Sequence, residues 1–339
     1  MAPQTNELPP FARMFQMIAG YSVAGAISCA AHLGIADLLE AGPRSAGDLA
    51  AQTGTIPEAL YRLLRATASV GVFIENPDGN FAQTPLSDSL RTNAIPSARP
   101  YAQMMGREWA ARSWARLEYS IRTGKPAFDN AHGMPLFEYL KHHPEEARFF
   151  HDAMTAFSAL DSPAIAAAYD FSGIHTIVDV AGGHGLLLAT ILAKYPGMKG
   201  TLFEAAEVLE GAKNGPLVSV LDRCSLVAGN MFETVPQGAD AYMMKHIIHD
   251  WPDEACIKLL KACRAAVKPN GRLLVLDCVI GQGNDFEPAK FLDLNMMIFP
   301  SGLERTEAQF RDLFAASGWR LSRIVRTAVS DCVVEGLPV

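Results

Sequence analysis

The spacing of apolar and polar positions changes character about halfway along the chain. Residues 1–168 read as helices with one short β element. Helices are predicted over Gly34 to Leu39, over Ala46 to Thr53, and from Pro57 through Ala59 to Val70. Val72-Phe73-Ile74, the turn Asn76-Pro77-Asp78-Gly79-Asn80 and Phe81-Ala82-Gln83-Thr84 then predict a hairpin. This is the order of a winged helix. Over residues 169–339 short apolar runs alternate with amphipathic ones. Strands are predicted over Thr176 to Val180, Gly200 to Glu204, Cys224 to Ala228, Ala241 to Lys245 and Arg272 to Ile280. Helices fall over Leu186 to Lys194, near Val208 to Lys213, and over Asp253 to Val267. Such alternation predicts an α/β, Rossmann-like, doubly wound parallel sheet. A helix capped by Thr306, with Gln309 as capping-box partner, and two β segments, Arg320 to Thr327 and Ser330 to Glu335, finish the chain.

One stretch sits outside both rhythms. Gln16 to Ala36 holds no Asp, Glu, Lys or Arg and is long enough for a membrane span. It is rich in Ala, Gly and Ser and lacks the density of Leu, Ile and Phe that a lipid-facing helix carries. The expectation is a buried, closely packed helix and no membrane association. Gly20, Ala24, Gly25 and Ser28 would allow close backbone approach, which suits an intertwined homodimer.

Composition narrows the functional classes. With 339 residues, 49% hydrophobic and 19% charged, the chain can bury a large core and has the length of two domains. Its net charge of -7 provides no footprint for a polyanion. Within residues 1–95 five basic side chains stand against eight acidic ones, so the winged helix is expected to be a dimerisation scaffold and not a DNA reader. Six cysteines with no CxxC pair read as reduced thiols of a cytoplasmic protein, and no basic region followed by an apolar core marks the N-terminus for secretion.

The chemistry gathers after the strands. Val178-Asp179-Val180-Ala181-Gly182-Gly183-His184-Gly185 opens a strand into a glycine turn, and Glu204 closes the next strand nineteen residues after Gly185. Glycines admit close approach of a ligand to the backbone, and a strand-end acid at that distance can hold two ribose hydroxyls. NAD, FAD and S-adenosylmethionine sites all begin this way. In open α/β sheets ligands bind beyond the carboxyl ends of the strands. There the chain places Asn230-Met231-Phe232, Lys245 to Trp251 and Asp277.

Asp179-Val180-Ala181-Gly182-Gly183-His184-Gly185, Gly229-Asn230-Met231-Phe232, Met244-Lys245-His246-Ile247-Ile248-His249-Asp250-Trp251, Pro269-Asn270-Gly271 and Glu304-Arg305-Thr306 resemble, in order and spacing, the small-molecule O-methyltransferases. The type is that of the caffeate and flavonoid enzymes and their bacterial relatives acting on polyketides and carotenoids. The resemblance spans nearly the whole chain. It implies S-adenosyl-L-methionine as cofactor, with Gly182 at its methionine end, Glu204 at the ribose, Asn230 and Met231 about the adenine, and Lys245 lining the site. It places Ser158 near the cofactor carboxylate, His249 as general base, and Asp277 and Glu304 as the acids that hold the imidazole. Ala181 stands where the family has a glycine, Asn230 where Asp is usual, and Asp277 is shorter than the usual Glu. Ala181 is harmless unless its position needs a positive φ.

The expected reaction moves a methyl group to a hydroxyl of a small aromatic or polyketide-like acceptor and needs no metal. Asp250 and Asp253 read as helix N-terminal acids and not as ligands. Phe150 and Met154, one helical turn apart, and Met297 are expected to wall the acceptor. A dehydrogenase, a regulator that senses the cofactor, and a relative that methylates nitrogen or carbon share parts of this pattern.

Overall fold

The computed structural model describes residues 8–339. In chain order the helices and strands are α1 (Pro10–His32), α2 (Ile35–Leu38), α3 (Ala46–Thr53), α4 (Pro57–Ser69), β1 (Phe73–Glu75), β2 (Phe81–Gln83), α5 (Pro85–Asp88), α6 (Arg99–Met105), α7 (Glu108–Trp114), α8 (Leu117–Thr123), α9 (Ala127–His132), α10 (Leu136–His142) and α11 (Pro144–Ala168). They continue with β3 (Thr176–Val180), α12 (Leu186–Lys194), β4 (Lys199–Glu204), α13 (Ala206–Ala212), β5 (Cys224–Ala228), β6 (Ala241–Lys245), α14 (Asp253–Ala266), β7 (Arg272–Ile280), α15 (Pro288–Ile298), β8 (Arg305–Thr306), α16 (Glu307–Ala316), β9 (Trp319–Arg326) and β10 (Asp331–Pro338). Two compact units result. One holds the chain up to residue 111 together with residues 143–156, and the other holds 112–142 and 157–339.

In the first unit α2, α3, α4 and the β1–β2 hairpin enclose a core of Ile35, Leu39, Leu49, Leu60, Leu64, Phe73 and Phe81. Leu60 and Leu64 lie one turn apart on α4, so its apolar stripe meets the hairpin. Helix α1 departs from expectation. Only Ser28, Ala30 and Ala31 are buried, while Phe11, Met14, Phe15, Met17, Ile18 and Tyr21 are exposed and Gly20 and Gly25 face open space. The expected buried helix is not buried within one chain. Its partners there, α2, α4 and α6, account for the burial at its C-terminal end.

In the second unit the main sheet runs β5-β4-β3-β6-β7-β10-β9, with β8 beside β7. The first five strands are parallel, and their central members β3, β6 and β7 are buried along nearly their whole length, as a sheet covered on both faces requires. The sheet is not parallel throughout. β10 pairs antiparallel with both β7 and β9, because a short turn joins β9 to β10 where a parallel pair would need a long crossover. Strand order reverses between β3 and β6, which opens a crevice at their carboxyl ends. Helix α15 was not foreseen: its eleven residues hold neither a side-chain cap nor a clean helical stripe.

Candidate functional site

At the end of β3 the chain turns sharply through Ala181, Gly182 and Gly183. Ala181 adopts a left-handed φ of 55°, so this position does need the backbone freedom its side chain denies it. A Cβ on Gly182 would overlap the Asp179 carboxylate. Glu204, at the end of β4, accepts the Gly183 N–H at 2.9 Å with one oxygen and the Ala205 N–H at 2.7 Å with the other, which ties strand end to glycine turn. Glu204, Asn230 and Met231 line one cavity of about 220 Å³ with Ala181, Phe203, Ala205, Gly229 and Phe232. Asn230 is partly engaged: its Oδ1 accepts from Phe232 N at 3.0 Å and its amide donates to Glu233 at 3.1 Å.

Asp179 lies under the turn, fully buried, and neither of its oxygens has a hydrogen-bond partner. Burial pushes its carboxyl up to about 8, against the pull of Lys245. Lys245, the last residue of β6, stands 3.6 Å from Asp161 of α11 and donates to His246 Nδ1 at 3.3 Å. His246 Nε2 in turn donates to Asp331 at 2.9 Å, which fixes a neutral tautomer; burial and Lys245 hold this imidazole down at about 4. His246 also carries a φ of 55°, so the strand ends in a strained residue. Burial and the neighbouring Asp331 raise Asp161 to about 7. Asp161, His246 and Asp331 present polar atoms within 4.8 Å of one another, and the cation among them is the Lys245 ammonium.

Beyond β6 a 3-10 turn, Ile248–Asp250, presents His249, which is 7% exposed. Its ring stacks on His246 with centroids 5.1 Å apart and planes inclined by 19°. Nδ1 donates to Glu304 Oε1 at 2.6 Å; Asp250 Oδ1 stands 3.6 Å from Nε2, beyond hydrogen-bond range. The segment before β8 is pinned to this turn, since Leu303 N donates to the His249 carbonyl at 2.8 Å. A Cβ on Gly302 would overlap that carbonyl, so only glycine permits the approach. Asp293 of α15 accepts the Glu304 N–H at 2.9 Å, and Arg305, 1% exposed, donates to the Ile248 and Trp251 carbonyls and to Asp253.

Asp277 is buried near this ring, but both its oxygens lack a hydrogen-bond partner. The expected grip by two acids is therefore unequal: Glu304 binds the ring, and Asp277, a methylene shorter than Glu, acts through its field. Burial opposes charge on His249, yet the Glu304 hydrogen bond and the carboxylates of Asp277 and Asp250 outweigh it and push the imidazole up to about 10. Burial likewise raises Asp277 to about 7 and Asp250 to about 6.

Of the remaining expected residues, Ser158 lies on α11 three residues before Asp161, partly buried, and Met297 on α15, also partly buried. Asn295 of the same helix accepts from Trp114 Nε1 at 3.1 Å, and Phe299 beyond it packs near Phe128. Phe150 and Met154 belong to the stretch of α11 in the first unit, both partly buried. Sequence reasoning missed Asp161, Asp293, Gly302 and Asp331.

Residues 114–320 match the family model of the O-methyltransferase domain, and residues 15–93 that of the O-methyltransferase dimerisation domain. The chain is 39% identical over 337 residues to the phenazine O-methyltransferase PhzM of Lysobacter antibioticus, over 99% of this chain and 98% of that one. It is 40% identical over 307 residues to the mitomycin biosynthesis 6-O-methyltransferase of Streptomyces lavendulae, over 88% and 86% of the two chains. Among solved structures, CalO1, a methyltransferase in calicheamicin biosynthesis in its SAH-bound form, superposes with a TM-score of 0.88 at 33% identity, covering 98% of this chain and 100% of that one.

Proposed function

The chain belongs to the S-adenosylmethionine-dependent small-molecule O-methyltransferases, and from that premise we propose that His249 is the general base of a metal-independent methyl transfer to the hydroxyl of a small aromatic acceptor. The observation that carries the reading is the 2.6 Å hydrogen bond from His249 Nδ1 to Glu304, which leaves Nε2 as the nitrogen that can take a proton. When bound, S-adenosyl-L-methionine supplies an electrophilic methyl group on a positively charged sulfur.

The protein's own residues supply the rest. Glu204, Asn230 and Met231, around one cavity, suit the adenosine end of the cofactor; Gly182, Lys245 and Ser158 suit its methionine end. The buried, partnerless carboxyl of Asp179 beneath the turn, raised to about 8, is a group that the cationic end of a ligand would ionise. A phenol near pKa 10 facing an ordinary imidazole near 6.5 leaves about 3.5 units, roughly 5 kcal/mol, against proton transfer. Glu304 on the far nitrogen raises the basicity of the ring, and a cation beside the acceptor would lower the phenol's own pKa, so the gap narrows from both sides. This reading requires no metal, since the base takes the proton and the sulfonium supplies the electrophile. Holding oxygen, methyl carbon and sulfur in line contributes further.

Met297 on α15 is assigned to the acceptor wall, and the assignment of Phe150 and Met154 rests on the sequence alone. The exposed apolar face of α1, which from Phe15 onward lies inside the stretch that matches the dimerisation domain, supports a homodimer built on that helix. The test is a panel of catechols, flavonoids, quinones and other phenols incubated with the cofactor and read by mass spectrometry. Methylated phenol together with S-adenosylhomocysteine is expected. Cofactor that fails to bind, or product methylated only on nitrogen or carbon, would overturn the reading.

A further inference from the structure

His249 is surrounded by more negative than positive charge. Glu304 approaches it from the segment before β8, Asp277 from β7 and Asp250 from its own turn, while the imidazole of His246 stacked on it is neutral. The nearby cations are committed elsewhere: Arg305 to Asp253 and two backbone carbonyls, Lys245 to Asp161 and His246. Both Asp277 oxygens and Glu304 Oε2 are buried without a hydrogen-bond partner, as are both oxygens of Asp179 under the glycine turn. Asp179, raised to about 8, meets its burial by holding a proton, whereas the acids gathered about the His249 ring leave a negative excess there that a cation would balance.

We propose that His249 supplies that charge as an imidazolium when the cofactor is absent, and gives up its Nε2 proton to solvent when the sulfonium cofactor binds, so that the methyl donor itself activates the base. This rests on the functional reading above. Lys245, which acts on Asp179 beneath the glycine turn, also donates to His246, and the His246 ring stacks on His249, so the turn and the base are neighbours of one cation. A cation brought to the strand ends repels an imidazolium and compensates the same carboxylates. An imidazole raised to about 10 is charged at neutral pH and is no base until something lowers it.

The turnover then balances. The acceptor O–H bond breaks and its proton passes to His249 Nε2. The oxygen bonds to the methyl carbon as the carbon–sulfur bond breaks, and the bonding pair stays on sulfur, which becomes neutral. His249 finishes as the imidazolium beside a neutral thioether, the charge state proposed for the site without cofactor.

Titration calorimetry of the full-length protein with S-adenosylmethionine and, separately, S-adenosylhomocysteine, in buffers of different ionisation heat at about pH 8, tests this. The sulfonium ligand is expected to release close to one proton more than the thioether. Its affinity relative to the thioether should climb by up to about tenfold per pH unit between roughly pH 6 and 8. Equal proton release and a flat affinity ratio would overturn the inference while leaving the methyltransferase reading intact; failure of both ligands to bind would instead defeat that reading. A folded His249→Gln variant should lose the difference between the ligands. If it kept the difference, the proton would belong to a carboxylate and not to His249. Should that variant not fold, the two wild-type measurements decide.

Discussion

An imidazole of ordinary pKa about 6.5 stands in this fold 2.6 Å from Glu304, within the fields of Asp277 and Asp250, and is pushed up to about 10. The sequence identified His249 and Glu304 through their motifs. It did not reveal that Glu304 alone would hydrogen-bond the ring, because one methylene of side-chain length decides whether Asp277 reaches. Asp331 and Asp161 were invisible for another reason: each meets its partner, His246 or Lys245, 84 or 85 residues away in the chain, through the fold and not through any local pattern. Ala181 shows the same scale of effect in the backbone. A left-handed alanine costs about 1–2 kcal/mol, and a glycine's extra freedom in the unfolded chain costs about 0.4–1 kcal/mol. Ala181→Gly should therefore raise stability by roughly 0.5 kcal/mol, read as a higher denaturation midpoint in urea with unchanged slope. A lower midpoint would mean that the turn is not strained.

At the scale of elements, the strands of the main sheet and the helices α12, α13, α14 and α16 were legible, whereas the short helices α8, α9 and α10 of the same unit were not. A parallel sheet covered on both faces writes short continuous apolar runs between turn signals, and the capping box at Thr306 and Gln309 formed as its residues foretold. The antiparallel pairing of β10 with β7 and the whole of α15 were not, since neither leaves a distinctive periodicity. Yet the segment from α15 to β8 governs the site: Asp293 holds the Glu304 N–H, and Gly302 lets Leu303 bond the His249 carbonyl. Gly302→Ala forces this segment away from His249, at a cost of about 1–3 kcal/mol for overpacking. Turnover should fall by about tenfold or more while cofactor affinity stays within about twofold, because the glycine turn and Glu204 lie on other strands. Paired calorimetry and steady-state rates check the split; an unchanged kcat would show that the approach to His249 does not matter.

For the molecule as a whole, the sequence divided the chain at residues 168 and 169 into a helical part with a winged-helix order and an α/β part, and the five basic against eight acidic side chains of residues 1–95 led to the expectation of a dimerisation scaffold. The compact units interleave instead, with residues 112–142 and 157–168 grouped with the sheet. What one sequence read alone could not reveal was where α1 is buried. Its small and apolar residues predicted a packed helix, and a single chain leaves Phe11, Phe15, Ile18 and Tyr21 uncovered. A second copy covering that face accounts for both observations. Light scattering should give the mass of two chains, and Ile18→Asp should shift the population toward one chain. A wild-type monomer at working concentration would remove α1 as the dimer helix.

The most direct measurement of the central claim is single-turnover methyl transfer to a phenolic acceptor at saturating cofactor, compared between the wild type and His249→Gln across pH. A general base at position 249 predicts a variant at least about a hundredfold slower near neutral pH, whose rate climbs with pH as the acceptor ionises unaided. A variant that matches the wild type within a few-fold at neutral pH would contradict it.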